Sequence, residues 1–157
     1  MDNKVFDFHE IATFADACMR LGISAESLQA DSLGDVEALL QANAFYRLLI
    51  IQKAINNGKW RDEEGWSYYP YWVLYSEKGM KRMSENKKQI YDFKELTLCI
   101  NANHTIYSGV RCAVARSGAM VTAYGFPLCF NSEEAALYAA KQFEDLFFQY
   151  YGIKVKE

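Results

Sequence analysis

The chain predicts an α+β domain in which N-terminal helices, an antiparallel β-sheet and a closing C-terminal helix packed on that sheet follow one another. Three observations carry that class. Apolar residues recur at helical spacing up to Asn57, the period falls to two between Tyr68 and Phe130, and helical spacing returns from Asn131 to Tyr150. Nothing shows the strict strand-helix alternation that a parallel sheet requires.

The first helix is expected over about residues 8 to 21. Asp7 and Glu10 have the spacing of a capping box, Phe6 and Ile11 stand at the staple positions, and Ile11, Phe14, Ala15, Cys18 and Leu21 share a stripe that ends at Gly22. A longer helix is expected from Gly34 or Asp35 to Asn57. Its stripe, Val36, Leu40, Ala44, Leu48, Ile51 and Ile55, is widened by Leu39, Leu49 and Ile50, which implies burial on more than one side. After Gly58, Tyr69, Tyr71, Val73 and Tyr75 would share one face of a strand and Tyr68, Trp72 and Leu74 the other, with Pro70 confining it to an edge or a strand start. The charged stretch from Glu77 to Lys94 reads as a long loop or a loose helix. Leu96, Leu98 and Ile100 suggest a short strand. From Ile106 to Phe130 a β region is expected, with Ser117-Gly118 as a two-residue turn that sets Val114 opposite Val121 and Cys112 opposite Ala123. Asn131-Ser132-Glu133-Glu134 then starts one last helix, lined by Ala136, Ala140, Phe143 and Phe147 and ended by Tyr151-Gly152.

At 157 residues the chain has the length of one ordinary domain, residues 1–157, and 51% apolar, 24% charged and 15% aromatic residues describe a globular one. Cys18, Cys99, Cys112 and Cys129 show no metal or redox spacing and read as buried free thiols; neither cofactor nor metal is expected. The first residues lack the order of a signal peptide, and no apolar run reaches the roughly 18 residues that span a bilayer, so a cytoplasmic protein with no membrane partner is expected. The net charge of −3 is uneven. Lys78, Lys81, Arg82, Lys87, Lys88 and Lys94 against Glu85 and Asp92 give +4 between residues 78 and 94, leaving −7 elsewhere.

Seven of the sixteen residues from Trp60 to Tyr75 are aromatic, including all three tryptophans, which makes this segment either a dense patch of core or a surface for a partner. Tyr68, Tyr69, Tyr71 and Trp72 are the candidate contact residues. The same rings with Lys81, Arg82, Lys87 and Lys88 could instead stack bases and attract phosphates of a single-stranded nucleic acid. Leu21 to Leu28 has the outline of a helix-turn-helix corner, but the helix that follows offers Glu26, Gln29 and Asp31, the wrong charge for DNA. Asp62-Glu63-Glu64 lacks the ligand alternation of a calcium loop and reads as a solvated turn. His9 reads as a surface residue of a first helical turn, and His104 has no nucleophile at an informative spacing, so no catalytic residue is assigned.

Several segments together resemble a set of uncharacterised small proteins from Bacteroidetes genomes, their phages and mobile elements. They are Phe14-Ala15-Asp16-Ala17-Cys18 with Leu21-Gly22, Ala54 to Trp60, Tyr68-Tyr69-Pro70-Tyr71-Trp72, Leu128-Cys129-Phe130, and Tyr138 to Leu146. Such proteins end in an aromatic-rich QF-x-DL helix and carry a YYPWF-like segment, where Tyr71-Trp72 here replaces Pro-Trp-Phe, and residues 76–103 are longer or more divergent. The resemblance implies a shared fold and a phage or mobile-element setting, and brings no catalytic residue with it. The reading that follows is a non-enzymatic interaction or structural protein that binds a protein partner or itself. Single-stranded nucleic-acid binding is the alternative, and an enzyme with a site scattered along the chain stands third.

Overall fold

The computed structural model describes residues 6–25, 36–59, 66–91, 93–98, 104–116 and 128–154. Two departures from the expected helices have local causes. The Asp7 carboxylate accepts from the backbone N–H of His9 at 3.0 Å and lies 2.8 Å from its Nδ1, which closes only a 3-10 turn over Phe8–Glu10. The helix proper, α1 (Phe14–Leu21), starts one turn later at a capping box that the sequence reading did not single out. Asp16 N donates to Thr13 Oγ1 at 3.1 Å, and Thr13 N donates back to Asp16 Oδ2 at 2.7 Å. Gly22, at φ 66°, ends α1 as expected, with Gly22 N–H donating to Met19 O and Ile23 N–H to Cys18 O, the paired bonds of a Schellman motif.

Helix α2 (Val36–Ile55) ends in the same motif one residue earlier than its glycine. Asn57 takes the left-handed position at φ 57°, Asn57 N–H donates to Ala54 O, and Gly58 N–H donates to Lys53 O. Only the second half of α2 is enclosed. Ala44, Leu48, Ile50, Ile51, Gln52, Ala54 and Ile55 are buried on several sides, whereas Val36 and Leu40 are exposed.

Strands β1 (Trp66–Ser76), β2 (Lys94–Leu98) and β3 (His104–Arg116) form an antiparallel sheet in the order β1-β3-β2. Between β1 and β2 the charged segment folds into two short helices, α3 (Glu77–Lys81), capped by Ser76, and α4 (Glu85–Tyr91). The Ser117-Gly118 hairpin, Val121, Ala123 and Ile100 lie outside the described residues. The closing helix is two helices, α5 (Glu133–Gln142), capped by Ser132, and α6 (Glu144–Tyr150). The break falls at Phe143, whose backbone leaves the helical region at φ −118° and ψ 29° while its ring is buried, so the side chain's place in the core is kept and the helix axis gives way.

One core joins these parts. Ile11, Ala17 and Cys18 meet Leu48, Ile51 and Ile55 of α2, and Ala135, Ala136, Ala139, Phe143 and Phe147 close it from the C-terminal side. The small residues at the start of α5 allow it to approach the sheet closely, as Tyr68, Trp72 and Cys112 pack against the same cluster. Burying each Leu, Ile or Phe here contributes about 1.5–3 kcal/mol.

Candidate interaction surface

The register of β1 decides where its rings go. Tyr68 lies opposite Val114, Pro70 opposite Cys112, Trp72 opposite Val110 and Leu74 opposite Ser108, so these share one face; Tyr69, Tyr71, Val73 and Tyr75 share the other with Ala113, Arg111, Gly109 and Tyr107. The expected split of the strand is therefore present. Helices α5 and α6 cover the face of Trp72, whose ring sits 4.9 Å from Phe147, 5.8 Å from Phe148 and 5.9 Å from Tyr151. Helix α3 covers the far end of the other face: a Cβ placed on Gly79 would stand 3.2 Å from Tyr75 Cδ1, so the helix backbone approaches that ring closely where it carries no side chain.

Pro70 sits inside β1 at no cost to the sheet. Tyr68 and Phe130 exchange both backbone bonds, at 2.9 and 2.7 Å, so the N–H and C=O of Tyr68 point away from β3. Two residues on, Pro70 points the same way, and its missing N–H removes no bond to β3. Phe130 is itself held in place by α2. The buried amides of Gln52 and Asn56 both donate to Cys129 O, at 2.6 and 3.0 Å, and Asn131 N donates to Asn56 Oδ1 at 3.1 Å. These two polar residues, one on α2 and one just past its end, anchor the segment that pins the head of the aromatic strand, and their spacing in the sequence did not mark them.

The four candidate contact residues are thus divided. Tyr68 and Trp72 lie on the core side and are partly buried, Tyr69 packs on Cys129, and Tyr71 presents its ring to solvent at 38% exposure. Neighbours that the sequence did not mark are more open: Trp66 at 50%, Leu74 at 42%, Val114 at 50% and Tyr151 at 50%. For Trp66, Leu74 and Val114 the position in the strand gives the face, but the layer of helices that leaves them uncovered could not be read from spacing. The Trp72 indole N–H and the Ser108 hydroxyl, buried on one face, have no hydrogen-bond partner among the described residues.

The charged candidates are divided as well. Lys81 Nζ meets Glu77 at 2.5 Å and Lys88 Nζ meets Glu85 at 2.6 Å, whereas Arg82 and Lys87 have no ion pair among the described residues. The Glu77 partner holds the Lys81 ammonium above its ordinary range. Lys94 Nζ reaches Glu144 of α6 at 2.8 Å, tying β2 to the closing helices, and its pKa is raised by that bond.

Chemistry elsewhere is sparse. Burial pushes the Cys112 thiol up to about 11, with Glu133 adding to the shift, which makes it a poor nucleophile at neutral pH. Burial also raises Cys18. His9 is exposed against Asp7 and meets the Tyr138 ring edge-on at 4.8 Å. Among the described residues no group of three or more His, Cys, Asp and Glu could hold a metal ion, and no helix is long and apolar enough to cross a membrane. A cavity of about 600 Å³ opens between the start of α2 and the end of α6, lined by Glu37, Leu40, Gln41, Leu146, Phe148 and Ile153 among others. No protein-family model matches the sequence, and no curated protein or solved structure matches it either.

Proposed function

We propose that this is a non-enzymatic interaction or structural protein of the cytoplasm, an accessory of a phage-derived or mobile element, that presents the rim of its aromatic strand to a protein partner or to a second copy of itself. The observation that carries the reading is that β1 anchors Tyr68 and Trp72 in the core while keeping Trp66, Tyr71 and Leu74 exposed. Large apolar side chains on a strand so firmly placed supply contact area at little ordering cost, the property that enriches aromatics at interfaces. Tyr71 is the exposed contact residue of its face, with Tyr69 beside it, Trp66 and Leu74 are the exposed residues of the other face, and Tyr68 and Trp72, turned to the helices, hold the strand between them in place. The mobile-element setting draws its support from the sequence resemblance alone.

Light scattering after size exclusion, together with capture of partners by the immobilised protein, tests this. Tyr71→Ala, Trp66→Ala and Leu74→Ala should each reduce oligomer mass or partner recovery without changing the far-UV spectrum. Mass and recovery that stay the same in all three, and in the triple variant, would overturn the reading.

A further inference from the structure

We infer that the α3–α4 segment is a docking site for an acidic stretch of a partner protein, laid beside Tyr71; this deepens the reading of Tyr71 as a contact residue and rests on it. The positive surplus of the segment divides into two groups in the fold. Lys81, Lys88 and Lys94 are neutralised by Glu77, Glu85 and Glu144, whereas Lys78, Arg82 and Lys87 are exposed and have no carboxylate partner among the described residues. Lys78 and Arg82 are four residues apart along α3 and its C-cap, on one stripe. Both lie at the C-terminal end of α3, whose dipole offsets the repulsion between like charges at that spacing, so the helix holds two cations side by side.

Lys78 and Arg82 belong to the helix that lies on the exposed ring's side of the sheet. Helix α3 rests on the Tyr75 and Tyr107 side of the sheet, with Gly79 against Tyr75 and both Glu77 and Lys81 acting on the Tyr107 phenol. Tyr71 is on that same side, four residues along β1, about 13 Å from Tyr75 at the usual strand rise. An extended acidic segment of four or five residues spans that distance, setting carboxylates on α3 and an apolar side chain on Tyr71. Nucleic acid fits less well. Stacking needs successive open rings, but Tyr68 and Trp72 are turned to the helices, and the −7 carried by the rest of the chain repels a dense polyanion more than a short acidic peptide.

The test is fluorescence anisotropy with labelled poly-glutamate and, separately, labelled oligothymidylate of matched charge. Poly-glutamate should bind, and more weakly as salt rises. Lys78→Glu/Arg82→Glu/Lys87→Glu should weaken it by on the order of tenfold or more, while Lys81→Gln/Lys88→Gln, which removes cations already paired, should change it by about twofold or less. No binding, equal losses in the two variants, or tighter binding of oligothymidylate overturns the inference. The role of Tyr71 is decided by the capture experiment, which involves no polyanion, so the two readings fail separately.

Discussion

Asn56 shows how much one side chain can organise. Its amide donates to Cys129 O and its carbonyl accepts from Asn131 N, so it holds both ends of the short segment whose Phe130 pairs with Tyr68. Asn56→Ala removes one donor from the buried Cys129 carbonyl and the Oδ1 acceptor from Asn131 N–H, and should cost about 1–3 kcal/mol, read as a lower urea midpoint. Cys112 sets a pH dependence of definite sign. Its folded pKa of about 11 lies above the ordinary 9.0, so its contribution to stability is complete below about pH 9 and is lost as the pH rises through 11. Urea midpoints measured from pH 8 to 11 should fall more steeply for the wild type than for Cys112→Ala, and equal slopes would count against burial as the cause. Neither residue could be ranked from the sequence, because an Asn two places before a glycine and an isolated Cys look alike whether they are enclosed or not.

The helix ends were the most legible elements, since a cap is a local event. Gly22, Asn57-Gly58 and the Asn131-Ser132 start of the last helix are found where their chemistry placed them, and at the first helix Asp7 caps only the 3-10 turn while the capping box of Thr13 and Asp16 starts α1. What spacing could not give was the break at Phe143, imposed by a core that takes its ring, or the folding of residues 77–91 into two short helices, each closed by a single ion pair. Asn57 gives a test at this scale. It combines a left-handed backbone with a side chain that accepts from Arg20 Nη2 at 2.6 Å, joining the ends of α1 and α2. Asn57→Ala keeps the β-carbon in that conformation but loses both the Arg20 bond and the short polar side chain that lets Asn tolerate it, at a cost of roughly 1–2 kcal/mol. Asn57→Gly loses the same bond but also removes the β-carbon that the left-handed backbone disfavours, so its urea midpoint should lie above that of Asn57→Ala.

At the scale of the whole molecule, the α+β class was legible because three changes of period are properties of segments, but the allocation of rings to core or surface was not, because it depends on which layer covers which face. Trp72 and Tyr71 are adjacent and chemically alike; α6 encloses one and leaves the other in water. The same covering layer bears on whether the chain melts as one body. The core cluster draws residues from α1, α2, β1, β3, α5 and α6, and Gln52 and Asn56 reach across 77 and 73 residues to Cys129. Loss of any one layer therefore exposes the apolar face of the next, and no described element has a core of its own. Unfolding should be a single cooperative step in which helix content at 222 nm and tryptophan emission change together across a urea titration. Trp72 reports from the sheet and helix interface, while the far-UV signal is dominated by the longest helices, α2 and α5. If emission changed first and helix content later, the sheet and α2 would be separable units, and β1 would hold its contact surface with less rigidity than a shared core confers.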